Sequence, residues 1–165
     1  MKKLLVSACL LGDPVRYDGD DNRDKAEHLQ EWLQHWQLAG RLIPVCPETL
    51  GGLPTPRPPA ESVGGDGHQV LAGSARIITY DGDDVTQAFV CGAEKTLAAA
   101  LAGNAVGALL AARSPSCGTG QIYDGSFSRR LTSGDGVTVA LLLQNGIRCF
   151  TPQDANALIA WMDEA

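Results

Sequence analysis

Five cysteines punctuate the chain, at positions 9, 46, 91, 117 and 149. An odd number in a glycine-rich chain of this size does not suggest a disulfide framework, so they read as free thiols, nucleophiles or metal ligands. Three of them occupy the same kind of place. Cys9 follows the apolar run KLLVSA, Cys46 ends the run RLIPVC, and Cys117 lies in the polar segment after the apolar run 105–112. Each stands near glycine or proline, backbone that can wrap closely around a compact ligand. Three such thiolates suit an iron–sulfide cube, and would leave one iron without a protein ligand and open to substrate. Cys91, in an apolar helical pattern, and Cys149, beside Phe150, read as small buried hydrophobes instead.

Other reactive side chains cluster beside these thiols. Glu48 lies two residues past Cys46, and Ser114 and Ser116 flank Pro115 just before Cys117. A carboxylate and a hydroxyl next to a metal supply a proton carrier and a hydrogen-bond partner or nucleophile. The plainer readings are a cap or solvent carboxylate for Glu48 and turn serines bonding their own backbone. Arg57, within T-P-R-P-P, is either a solvated loop arginine or a proline-stiffened clamp for a carbonyl or phosphate, with Glu61 placed to orient it. Arg16, Tyr17 and Asp18 could close over a flat ring; the tyrosine could equally pack on a turn. His28, His35 and His68 do not form a metal set.

The elements that must position these groups follow from periodicity. Residues 3–8 predict a buried strand, and residues 24–39 a helix with an apolar face of Ala26, Leu29, Leu33, Trp36 and Leu38, capped by Asn22 or Asp24 and ended by Gly40. A second strand covers 41–46, where Pro44 demands an edge position or an early strand end. The segment 47–69 holds five prolines and five glycines. It reads as a long functional or disordered loop, unable to hold a helix or a central strand. Residues 70–79 predict a hairpin or small excursion, 84–102 the best helix, and 105–112 a strand covered on both faces. A second polar loop spans 113–130. Residues 135–145 fit a helix, with a strand as the alternative; 147–150 fit a short strand; 152–163 form a terminal helix behind a Thr151 cap. The alternation predicts a single α/β domain over 1–165, a Rossmann-like three-layer sandwich around a mostly parallel sheet with a small hairpin excursion. In such a sheet, ligands sit beyond the carboxyl ends of the strands, where Cys9, Cys46 and Cys117 all fall.

Composition removes several function classes. With 165 residues, 44% hydrophobic and 19% charged, the chain can bury a core. Net charge is −6, without the basic footprint of a duplex nucleic-acid binder, although Arg16, Arg57 or Arg113 could hold a small anion. No apolar stretch approaches the about 18 residues of a membrane span. The N-terminus opens like a signal peptide but soon meets Gly12, Asp13 and Pro14, so a cytoplasmic location is expected.

Five blocks then carry a resemblance: SACLLG at 7–12, VRYDG at 15–19, VCPE at 45–48, GGLPTPRPPAE at 51–61 and RSPSCG at 113–118. Together they resemble the DUF523 family, which includes the thiouracil desulfurases, or desulfidases, over residues 4 to about 150. The resemblance implies a [4Fe-4S] cluster on Cys9, Cys46 and Cys117, with Glu48 and Ser114 as catalytic residues. It also implies a non-redox desulfuration, in which the open iron captures a thiocarbonyl sulfur, water attacks the ring carbon, and uracil and sulfide leave. The substrate would be a small thiolated pyrimidine, with Arg16, Tyr17, Arg57 and Ser116 as candidate binding residues; oligomeric state stays open. The same thiolates would also suit zinc, a redox-sensing module, or a cysteine-lined crevice without turnover.

Overall fold

A computed structural model describes residues 1–164. Four strands form the central sheet: β1 (Lys3–Ser7), β2 (Leu42–Val45), β5 (Ala105–Leu109) and β8 (Arg148–Phe150), in the order β2-β1-β5-β8 and all parallel. Period-two alternation assigns the layers. Leu4 and Val6 of β1 face one side, packing with Leu33 and Trp36 of α1 (Gln30–Leu38) and Leu158 and Met162 of α6 (Ala155–Asp163). Leu5 faces the other side, against Ala100 of α4 (Thr86–Ala102) and Val139 and Leu142 of α5 (Val137–Gln144). Helices thus cover both faces, giving the three-layer sandwich expected from the alternation. Pro44 lies on β2, the outermost strand, where its missing N–H breaks no ladder.

Two smaller ribbons flank this sheet. β3 (Ala60–Val63) pairs antiparallel with β4 (Arg76–Thr79) around α3 (Gly67–Ala72), so the excursion expected over 70–79 takes its first strand from the segment read as a loop, and residues 70–72 are helical. β6 (Gln121–Tyr123) pairs antiparallel with β7 (Leu131–Ser133), so the second polar loop carries a hairpin that its composition concealed. The proline-rich segment is also more structured than expected. It begins with the one-turn helix α2 (Pro47–Leu50), because proline at the first helical position gives up only an N–H that would be orphaned anyway.

Other expectations need correction. The helix expected over 24–39 is split: Arg23–Leu29 winds as 3₁₀ turns with a kink at Ala26 (φ −120°, ψ 25°) before α1 begins. Leu38 lies outside its apolar face, 84% exposed. Asn22 precedes these turns but makes no side-chain cap. Val106 on β5 is exposed, so that strand is not covered along its whole length. Residues 137–144 are helical despite their β-branched residues, since α5 is buried on most sides between the sheet, α3 and α4. The Thr151–Asp154 capping box forms as expected, Thr151 N–H donating to Asp154 Oδ2 at 2.9 Å.

Two glycine pairings fix the loops around the site. A Cβ on Gly92 of α4 would strike the Pro47 carbonyl, and one on Gly51 the Ala88 carbonyl, so α2 lies backbone-to-backbone on α4. A Cβ on Gly136 would strike the Ser116 carbonyl. The start of α5 therefore presses on the 114–118 turn, and Val137 and Thr138 N–H donate to the Pro115 and Ser116 carbonyls at 2.8 and 3.0 Å. The loop carbonyls satisfy amides that a helix N-terminus leaves free.

Candidate active site and metal centre

In the order β2-β1-β5-β8, the chain leaves β1 towards β2 on one side and later returns to β5 on the other. That reversal is the switch point where open parallel sheets bind ligands. A cavity of about 840 Å³ lies there, lined by Cys9, Cys46 and Cys117 together with Glu48 and Ser114. Cys9 sits in the 3₁₀ turn Ala8–Leu11 directly after β1. Cys46 is the residue before α2, directly after β2. Cys117 belongs to the turn that follows β5. The three strand ends thus deliver the three thiols to one wall, as the topology predicts.

The donor chemistry fits an iron–sulfur cluster, since thiolates are the usual protein ligands of such clusters. Without a cation, ionising Cys9 and Cys117 is costly. Burial pushes Cys9 up to about 11, partly opposed by a hydrogen bond from Asn22, and raises Cys117 further, with Glu48 and Cys9 adding to the shift. Thiols placed in this way, Cys117 buried and Cys9 and Cys46 partly so, suit a strongly positive centre. Cys91 lies on α4 away from the cavity lining, and Cys149 on β8 is pushed up to about 12 by burial.

Glu48 projects from the first turn of α2, and burial raises its pKa while Arg57 partly opposes the shift. Arg57 Nε donates to Glu48 Oε1 at 3.2 Å. The rest of the guanidinium reaches the Pro54 carbonyl (3.2 Å), Thr55 Oγ1 (3.0 Å) and the Val15 carbonyl (3.0 Å). Arg57 is therefore spent largely on protein partners rather than held free as a clamp. Glu61 does not orient it: Oε1 of Glu61 accepts from the N–H groups of Gly125 (2.9 Å) and Phe127 (3.2 Å).

Ser114 Oγ accepts from Ser116 N–H (3.2 Å) and Cys117 N–H (2.7 Å), which confirms its turn role and leaves its own proton as the group available to the cavity. Ser116 is a correction to the expected binding set. It is fully buried, does not line the cavity, and its hydroxyl pairs with Thr138 Oγ1 at 2.7 Å, because Gly136 draws this part of the turn against α5. Arg16 and Tyr17 line the mouth. Arg16 pairs with Asp18 at 3.2 Å, and Tyr17 is 42% exposed.

The structure adds wall residues that sequence reading missed: Asn22, Lys25, Tyr123, Phe127 and Arg129. Phe127 (φ 57°) and Arg129 (φ 60°) adopt left-handed backbone on the β6–β7 connection. The polar run DGSFSRR was the available signal, since it combines turn formers with a large aromatic and two cations. The three histidines do not come together: His28 bonds the Pro152 carbonyl at 2.7 Å, and His68 pairs with Asp135 at 3.0 Å and stands with Asp66 and Asp135 in one cluster of possible ligand atoms at the α3 start, apart from the cavity.

A parallel α/β sheet with three thiols, a buried carboxylate and a turn serine at its switch point defines a cluster-binding enzyme scaffold. Comparison with known proteins makes the assignment specific. Residues 4–154 match the family model described as 2-thiouracil desulfurase, and the chain belongs to that family. It is 43% identical over 156 residues to the uncharacterized protein YbbK of Bacillus subtilis (strain 168), covering 94% of this chain and 99% of that one. It also superposes on a solved [4Fe-4S]-dependent thiouracil desulfidase, TudS, with a TM-score of 0.85 and 42% identity over 98% of each chain.

Proposed function

We propose that this chain is an iron–sulfur-dependent thiouracil desulfidase that converts thiouracil-type pyrimidines and water into uracil and sulfide, without net redox change. Cys9, Cys46 and Cys117 hold a [4Fe-4S] cluster. The observation that carries this reading is the arrival of these thiols, from three strand ends, on one cavity wall beside Glu48 and Ser114. When bound, the cluster supplies an open Lewis-acidic position with affinity for a soft thiocarbonyl sulfur.

The chain's own residues supply the rest. Glu48, on the cavity wall beside Cys46, is placed to pass a proton between the attacking water and the departing sulfur or ring nitrogen. Arg57 fixes the carboxyl so that it meets the substrate in one orientation. Ser114, with both lone pairs engaged by backbone amides, offers its proton to the ring or its oxygen. Arg16 and Tyr17 close the mouth over the flat ring. The overall balance is C=S plus H₂O to C=O plus H₂S, a hydrolytic exchange.

The chain works as one domain on a small molecule rather than on duplex nucleic acid. Free thiols suit the cytoplasm; no helix among the described residues is long and apolar enough to cross a membrane. Anaerobic reconstitution tests the reading. About four irons per chain, broad visible absorbance and sulfide release from 2- or 4-thiouracil are expected. A colourless protein that binds one zinc and releases no sulfide overturns it.

A further inference from the structure

Asn22 stands where a helix cap belongs, and its side chain caps nothing. Its carboxamide Nδ2 instead donates to Cys9 Sγ at 3.4 Å, inside the cavity. The backbone holds it there: Asn22 N–H donates to the Cys9 carbonyl at 2.8 Å, and the Asn22 carbonyl accepts from Lys25 N–H at 3.0 Å. The residue closes the whole loop from Cys9 back onto Cys9.

A second sulfur has its own donor. Ser7 is buried at the end of β1, and its Oγ accepts the Ala111 N–H at 3.0 Å. That bond orients the hydroxyl, whose proton faces Cys117 Sγ at 3.9 Å; the Ser116 hydroxyl lies 3.8 Å from the same sulfur but is engaged with Thr138 Oγ1. Cys46 differs, because its sulfur meets the Val15 carbonyl, an acceptor, at 3.9 Å. Two ligand sulfurs thus face fixed donors and the third faces a carbonyl.

We infer that Asn22 and Ser7 are positioning residues that hydrogen-bond the Cys9 and Cys117 thiolates, withdrawing charge from those sulfurs. The inference rests on the reading of these cysteines as cluster ligands. Partners that hydrogen-bond ligating atoms tune a metal centre, and for iron–sulfur clusters hydrogen bonds to sulfur are among the determinants of potential. Less charge on two thiolates leaves the irons more electron-poor, which favours capture of a neutral thiocarbonyl sulfur. The potential is a readout of charge at sulfur here and not a step of the reaction.

The test compares wild type, Asn22→Leu and Ser7→Ala after anaerobic reconstitution, by iron and sulfide content and by reductive titration of the cluster signal. Both variants are expected to bind the wild-type complement of iron and to show a more negative reduction potential, the double variant more so. Asn22→Asp, which keeps the shape but replaces a donor with an anion, is expected to shift further than Asn22→Leu. Potentials equal to wild type in loaded Asn22→Leu and Ser7→Ala overturn the inference. If Asn22→Leu does not load, the Ser7→Ala potential decides: a negative shift supports the inference, and an unchanged value overturns it. A wild-type protein that takes up no cluster fails the proposed function instead, so the two failures are distinguishable.

Discussion

Arg57 and Glu48 form an ion pair at 3.2 Å in which the guanidinium is 4% and the carboxylate 19% exposed. The same guanidinium bonds the Val15 carbonyl, and the Arg57 N–H bonds the Tyr17 carbonyl at 2.6 Å. One residue thus ties the candidate proton carrier to the strap that carries Arg16 and Tyr17.

Arg57→Lys retains the charge but loses the planar fork that serves several acceptors at once. A charge-assisted hydrogen bond near a buried carboxylate contributes about 2 kcal/mol, so kcat is expected to fall roughly 10- to 100-fold. Iron content should stay at the wild-type level. Steady-state kinetics beside iron analysis checks this, and a normal kcat would count against the positioning role.

Replacement of Glu48 by Gln preserves shape and removes the proton carrier. Turnover is expected to drop about 10²- to 10⁴-fold with cluster content unchanged. Ser114→Ala should lower turnover too. It should also destabilise the fold by about 1–2 kcal/mol, since it strands the Ser116 and Cys117 amides. Sulfide-release rates and urea unfolding separate the two effects.

Serine in place of Cys9, Cys46 or Cys117 should sharply reduce cluster content, whereas serine at Cys91 or Cys149 should leave it intact. Iron and sulfide analysis of the five variants checks the ligand set; equal loss in all five would refute it.

Gly92→Ala tests the scaffold under the site. The added methyl meets the Pro47 carbonyl on α2, between Cys46 and Glu48 in the chain. Overpacking of this kind costs about 1–3 kcal/mol, and α2 must shift to relieve it. Both the urea midpoint and cluster loading are expected to fall.

Asp84 gives a pH dependence away from the site. Hydrogen bonds from Thr86, through side chain and backbone, and then the Arg76 guanidinium hold its carboxyl at about 2 against an ordinary 3.8. A depressed carboxyl stabilises the fold above its unfolded value and loses that contribution as pH falls through the folded one. Asp84→Ala should therefore lower stability at pH 7 by a modest amount, about 0.5 kcal/mol for a solvent-screened carboxylate. The difference should shrink between pH 4 and pH 2 in urea titrations.

The sequence alone determined the layers and the metal-ligand candidates. Alternation in KLLVS sends Leu4 and Val6 to one face and Leu5 to the other, and a cysteine after each of three strands names the rim. Pro44 even announced its edge strand. Such features are local: side-chain periodicity and the chemistry of proline act within a few residues. What only the tertiary structure decided is pairing across long separations. Arg57 chooses Glu48 over Glu61, Ser116 turns into the protein because Gly136 lets α5 press on its turn, and Asn22 gives up a cap for a sulfur. Each outcome depends on which donor meets which acceptor once distant segments are packed, and hydrogen-bond energy falls away within fractions of an ångström. No local pattern encodes that distance.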